Sequence, residues 1–463
     1  MKTKMDNNHT QGNINAMSEI AIIGMDANIA GQSSIDRVER AFYQGNVLPA
    51  TESTLAPSLG LTLEQLCNES CERLIQANKL TRSSLAVVLV VEQVSTQTNA
   101  QTSSAIQALS ETYASCIIVS SLAEALDKTS SLLSSTQAPI ALLGVNLFGS
   151  DQLQQNQASA SISFDETFSH YQSTEGIAGL LLASASFAEQ QRAHIYAWLT
   201  AYDIDTDVKK ASEAALKKAK VTTEDIVLLE VSALADKALV EKERLGLLAT
   251  YGHKSTAAVQ SLHTAVTCAR SVIGEAGGCS QVIGLLKCVL ALHQRYIPGL
   301  NDWQQPDESV LSAWKASPFY FPTEARPWFA KRDGNAHMAA YSCQSQNDVA
   351  GESNDTYCHI ILKEHRPEAL VDQRANGYIA CGDLSLFILT AQTEQDLSQL
   401  LTQIKNQCLE GQGLDGELTT LAQHCYQVYK RHSSHQHKVV LIADSVDELL
   451  NEIELAASGI VLA

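Results

Sequence analysis

The sequence predicts an α/β protein: a large body built on a sheet with helical crossovers, and a second, smaller α/β unit behind it. Three observations predict this. LAVVLVV (85–91) and PIALLGVN (139–146) are apolar throughout at strand length, the mark of strands covered on both faces. Such runs alternate with stretches of helical spacing, which implies parallel strands and right-handed crossovers. A long apolar run from Val282 to Leu292, too wide for a one-sided helix, predicts a helix buried on most sides.

In chain order, EIAIIGM (19–25) suits a buried strand, and Ser33 or Ser34 caps a helix to about Tyr43. Thr62 to Lys79 places Leu63, Leu66, Cys67, Leu74 and Ala77 at helical spacing. After LAVVLVV come a helix near 103–113, the strand SCIIV (115–119), a helix over 120–133 and the strand at 139–146. Residues 149–159 read as a polar loop. SISFD (161–165), GIAGLLLAS (176–184) and AHIYAWLTAY (193–202) read as further strands. SEAALKKAK is helical and ends near Lys220, and Thr222 with Asp225 forms a capping-box-like turn before the strand IVLLEVSAL (226–234). A helix follows over about 235–251.

The stretch TCARSVIGEAGGCSQVIGLLKCVLALHQRYIPGL (267–300) carries Gly274, Gly277 and Gly278 at a small-residue turn, then the buried helix, then Pro298 as its stop. HMAAYSC (337–343) and YCHIILKEH (357–365) close the body around a polar insertion. Residues 366–376 read as a charged linker. A smaller unit follows: LSLFILTA (384–391), two helices, KVVLIAD (438–444), and a last helix capped by Ser445 and Glu448.

Composition narrows the function classes. A chain of 463 residues with 45% hydrophobic and 18% charged residues is globular and long enough for two or three domains. A formal charge of −19 leaves no basic surplus for a nucleic-acid partner. Eleven cysteines without paired spacing read as reduced thiols. Cys67 and Cys71 share a helix face, but no partner pair completes a metal site. His432, His435 and His437 read as solvated loop residues. No apolar run reaches membrane-spanning length, and residues 1–18 lack the apolar core of a signal peptide and read as a disordered leader.

The ordered features resemble the β-ketoacyl synthase family. Arg270, Ser271, Ile273, Gly274, Gly284, Leu285, Lys287, Ile297 and Pro298 fall in register with the family's pattern around its second catalytic histidine. IAIIGM, FDETFSHY (164–171), TEGIAGLLL (174–182), FPTEARPWF (321–329) and TYCHIILKE (356–364) resemble further family segments in order. The resemblance covers about 19–365 and implies a thiolase-like, five-layer αβαβα ketosynthase fold over residues 19–370. Residues 371–463 resemble the small α/β linker that joins ketosynthase to acyltransferase. The pairing is similar to the front of the acyltransferase-bearing subunit of bacterial omega-3 polyunsaturated-fatty-acid synthases. No G-x-S-x-G nucleophile elbow occurs, so the acyltransferase itself is absent from this sequence.

The same resemblance implies a degenerate site. The family's nucleophilic cysteine aligns with Ile118, its first histidine with Ser232 and its second with Glu275, while Arg270 stands at its lysine. Isoleucine cannot take up an acyl group, and Glu275 would repel a malonyl carboxylate while pairing with Arg270. Cys116 and Cys279 read as packing thiols, and Ser445, in a faint resemblance to a phosphopantetheine site, as a helix cap. The resemblance therefore implies a non-catalytic scaffold that binds no cofactor itself, forms a homo- or heterodimer, and meets a phosphopantetheine-bearing acyl carrier protein, an acyltransferase domain and other synthase subunits in the cytoplasm. The alternative it leaves open is an active β-ketoacyl synthase or malonyl decarboxylase with a site built from Ser232 and Glu275.

Overall fold

The structure, a computed structural model, describes residues 19–32, 34–48, 62–91, 98–136, 138–147, 162–252, 262–306, 310–329, 335–345, 348–349, 352–353, 355–366, 385–410, 417–432 and 434–461. The 1–18 leader, the loop at 149–159, most of the linker and Ser33 lie outside these residues. The chain divides into two compact units, Met1–His365 and Arg366–Ala463.

The first unit opens with β1 (Ile20–Ile29), α1 (Ile35–Gln44), α2 (Leu63–Asn78), β2 (Ala86–Val91), α3 (Thr98–Thr112), β3 (Ser115–Val119), α4 (Leu122–Thr136) and β4 (Ile140–Asn146). β5 (Gly176–Ser184), α5 (Ala185–Gln190), β6 (Ala197–Asp205), α6 (Val208–Ala219), β7 (Ile226–Val231), α7 (Lys237–Tyr251) and β8 (Thr264–Thr267) follow. Then come α8 (Arg270–Ile273), α9 (Gly277–Gln294), β9 (Tyr296–Ile297), α10 (Leu311–Lys315), β10 (Phe319–Tyr320) and β11 (Arg326–Pro327). β12 (Met338–Ser345), β13 (Asp348–Val349), β14 (Glu352–Ser353) and β15 (Thr356–Glu364) end it.

Eleven strands form one sheet in the order β10-β8-β7-β12-β15-β6-β1-β5-β4-β2-β3. The pairs β2–β3, β2–β4, β7–β8, β7–β12 and β8–β10 are parallel, as the crossover helices require. The two halves of the sheet meet only where Ile20, Ala21 and Ile22 of β1 face Leu199, Trp198 and Ala197 of β6. Beyond an irregularity between Ile22 and Gly24, β1 continues against β5 alone, which makes it longer than its opening apolar run suggests.

That narrow join lets the halves stack. Helix α9 touches β2, β4 and β5 of one half and β7, β12 and β15 of the other, and α4 lies beside it. Apolar residues of α4, α9 and the inner strand faces, among them Leu126, Leu285, Leu142, Leu180, Leu228 and Ile360, make the central cluster. One outer cluster lies under α2 and α3, with Leu66, Leu109, Val87 and Leu143; the other lies under α6 and α7, with Leu216, Leu247, Leu229 and Ile361. The layers run helix, sheet, helix, sheet, helix, the five-layer arrangement of the thiolase-like fold. Every residue of α9 from Gly277 to Leu292 is buried, which is why its apolar run shows no polar face.

Thr222 and Asp225 form the expected capping box. Ser34 stands at the start of α1 in extended conformation, but its side chain makes no cap bond, so the expected serine cap is not formed there. A strand expectation also fails: in SISFD the described residues, 162–165, form a turn. Ser163 N donates to Tyr171 Oη at 3.0 Å, so a side chain takes a bond a strand would need, and the Asp165 carboxylate accepts from Thr167 N at 2.9 Å and Gln304 N at 2.6 Å, which fixes the turn.

The second unit contains β16 (Ser385–Ala391), α11 (Glu394–Glu410), α12 (Glu417–Arg431), β17 (His437–Ala443) and α13 (Val446–Val461). The strands pair antiparallel, and Phe387, Leu389, Leu401, Ile404, Leu441, Leu449 and Ile453 form its core. Glu448 N donates to Ser445 Oγ at 3.3 Å, so Ser445 caps α13. Among the described residues, no helix is long and apolar enough to cross a membrane.

Candidate functional site

The turn after β7 and the turn into α9 meet in the buried middle of the first unit. Arg270, 4% exposed along its side chain, places Nε 2.6 Å from Glu275 Oε2 and donates from a terminal nitrogen to the Ser232 carbonyl at 2.8 Å. Glu275 Oε1 accepts from Gly277 N at 3.0 Å, so this carboxylate closes the N-terminus of α9, where the helix dipole favours it. The Glu275 backbone is fixed as well: its N–H donates to Gln172 O at 2.7 Å and its carbonyl accepts from Thr174 N at 2.8 Å. Gly274, at φ +82°, makes the approach possible, since a Cβ there would run into the Gln172 carbonyl.

Ser232 is fully buried. Its hydroxyl accepts from Gln344 N at 2.9 Å and its own N–H donates to Glu243 Oε1 at 3.0 Å. Ala233 N donates to Glu243 Oε2 at 2.8 Å, so one carboxyl of α7 holds the whole turn. Three of the positions singled out in the sequence therefore come together: Ser232, Arg270 and Glu275.

Ile118 does not join them. It lies inside β3, opposite Leu89, and packs with Cys116 on the outer cluster, whereas Ile117 and Val119 face the central one. Strand alternation decides this, because side chains two apart share a face. Helix α4 begins four residues later, and its N-terminus is occupied. Gln281 of α9 accepts the Leu122 N–H at 2.7 Å, and Ser121 Oγ accepts Glu124 N at 3.2 Å. The donors that elsewhere favour a thiolate at a helix start here meet a neutral amide oxygen.

The thiols nearby are not primed. Burial pushes Cys268 up to about 12 and Cys343 up to about 11. Cys279 is likewise driven upward by burial and then by Glu275. All three are buried among apolar neighbours, consistent with packing.

Sequence reasoning missed the strongest polar feature. Lys287 of α9 reaches Glu230 Oε2 at 2.9 Å, with both side chains 1% exposed. Glu230 also accepts from Thr267 Oγ1 at 2.6 Å and from Ala269 N, and the Lys287 ammonium lies 5.6 Å from the Phe42 ring centroid. The signal was present: a lysine inside an apolar helix and a glutamate inside an apolar strand each need an opposite charge. Gln281 and Glu243 carried no comparable signal.

Glu243 yields a testable pH dependence. Burial raises its carboxyl from 4.5 to about 7, although the Ala233 and Ser232 N–H groups and Arg270 pull the other way. Between those values the folded chain keeps a proton that the unfolded chain has released, so this group's contribution is full below pH 4.5 and disappears as pH rises through 7. His359, lowered to about 3 by burial, works in the opposite sense below 6.5. The comparison must therefore be with a Glu243→Gln variant. In urea denaturation, the stability of the wild type relative to that variant is expected to fall by about 3 kcal/mol across the window. A flat difference would contradict it.

Comparison with known proteins agrees with the fold. Residues 200–302 match the family described as Beta-ketoacyl synthase, C-terminal domain. The chain is 28% identical over 251 residues to the polyketide synthase GfsA of Streptomyces halstedii, covering 53% of this chain and 3% of that protein. It is 21% identical over 320 residues to the polyketide synthase PksN of Bacillus subtilis (strain 168), covering 64% of this chain and 6% of that one. This chain thus spans only a small part of the relatives it matches. Among solved structures, the ketosynthase from module 6 of the bacillaene synthase of Bacillus subtilis 168 superposes with a TM-score of 0.61 at 17% identity, over 95% of this chain and 85% of that one. The oxazolomycin ketosynthase domain OzmH KS7 of Streptomyces albus JA3453 gives 0.62 at 15% identity, over 96% and 88%. The fold is that of thiolase-like ketosynthase domains, and residues 200–302 are similar in sequence to the C-terminal domain of β-ketoacyl synthases.

Proposed function

We propose that this chain is a non-catalytic, ketosynthase-like scaffold of a polyunsaturated-fatty-acid or polyketide-type synthase in the cytoplasm. It dimerises, and docks an acyltransferase domain and a phosphopantetheine-bearing acyl carrier protein. The observation that carries this reading is the 2.6 Å bond between Arg270 and Glu275. Condensation needs free donors aimed at the oxygen on which negative charge develops. The guanidinium here is engaged by Glu275 and the Ser232 carbonyl, so it is not a free donor.

A carboxylate at position 275 acts against the reaction. Two unit charges about 4 Å apart, at an effective dielectric near 20, repel by about 4 kcal/mol, which is roughly three orders of magnitude in rate. Ile118 offers no nucleophile. The matches to polyketide synthases support an assembly-line setting. Among the described residues β3 is the last strand of the sheet, a position from which its edge could pair with a second subunit.

The expected result is no malonyl decarboxylation and no condensation above background when the purified chain is given malonyl- and acyl-loaded carrier protein, together with a dimer in light scattering. Turnover abolished by Glu275→Ala, or a covalent acyl adduct by mass spectrometry, would replace this reading with an active synthase or decarboxylase. A monomer at micromolar concentration would remove the dimeric half of the proposal.

A further inference from the structure

The second unit holds a cavity of about 150 Å³ between β16, α11 and α12. Ile388, Leu389, Leu400, Leu421 and Val428 supply most of its wall. Thr390 also lines it, is 5% exposed, and its hydroxyl has no hydrogen-bond partner among the described residues. Gln403 and His424 stand exposed at the rim.

We propose that this cavity is a binding site for a small neutral ring or branched-chain molecule bearing one hydroxyl, with phenol as its simplest form. Size comes first: an apolar cavity of about 150 Å³ accepts benzene, so the space suits a group of six or seven heavy atoms. The wall then sets polarity. Neither a lysine nor an arginine lines the cavity, so a carboxylate or phosphate would be desolvated without a counter-charge.

Thr390 sets the last requirement. A buried hydroxyl without a partner costs stability, and a lone water is a poor remedy, because it needs two to four polar partners and the interior offers one. A ligand hydroxyl satisfies the threonine while its carbon skeleton covers the aliphatic wall. The bland alternative is a packing defect, in which Thr390 is only a misplaced polar atom.

The experiment titrates phenol and benzene separately into the full chain at millimolar concentration, following thermal shift and NMR line positions. The wild type is expected to bind both, with phenol about three- to tenfold tighter, the worth of one hydrogen bond. Thr390→Val keeps the shape and removes the hydroxyl. It is expected to melt higher than wild type without ligand, to bind benzene within about twofold of wild type, and to lose the preference for phenol. Cys425→Met, which fills the space, should bind neither. If neither compound binds the wild type, or if Thr390→Val keeps the phenol preference, the proposal is overturned; binding of benzene and phenol with equal affinity leaves only the packing defect.

Discussion

Lys287→Met is expected to lower the stability of the protein by about 3–5 kcal/mol, the range for removing one partner of a buried pair. Lys287 and Glu230 are each 1% exposed, so neither can turn to water when its partner is lost. Without the ammonium, Glu230 retains Thr267 Oγ1 and Ala269 N but no opposite charge. The size of the loss comes from the stranded carboxylate, not from a strong native bond. The double variant Glu230→Gln/Lys287→Met is therefore expected to recover much of it, since neutral groups of similar volume replace a buried pair at little net cost. Equilibrium denaturation of both variants provides the check. Equal losses in the single and double variants would show that the methylene packing of Lys287 matters more than its charge.

The second large effect is expected at Gly278→Ala, a loss of about 3 kcal/mol, at the upper end for overpacking. A Cβ on Gly278 would enter the space of the Val90 carbonyl oxygen, and one on Gly144 would meet the Gly278 carbonyl. Both obstacles are main chain. No rotamer change relieves them, so α9 would have to retreat from β2 and β4. The same substitution at Gly459, where nothing lies within 4 Å, is expected to be neutral or slightly stabilising, as glycine is the poorer helix former. Melting temperatures of the two variants measure the contrast.

Much of the fold could be read from the chain because its strongest signals are local. β2 and β4 are apolar on both faces since they are the covered strands between helical layers, and α9 is apolar all round since every side of it is packed. What could not be read was set by distant partners. SISFD has the composition of a strand, but the Tyr171 hydroxyl claims the Ser163 N–H, and the Asp165 carboxylate ties the segment to Thr167 and Gln304. At the site, the Arg270–Glu275 bond spans five residues and followed from charge and proximity. The Leu122–Gln281 bond spans 159 residues and could not be inferred from neighbours. The same limit applies to Glu243, whose role depends on where α7 crosses the turn at Ser232.

Glu275 performs two tasks with one side chain, holding Arg270 on one oxygen and the start of α9 on the other. An imidazole at that position would leave Arg270 with only the Ser232 carbonyl as acceptor among the described residues and would remove the carboxylate that accepts from Gly277 N. The two residues therefore form one coupled unit: a substitution at either is felt at once by the turn at Ser232 and by the first turn of the central helix.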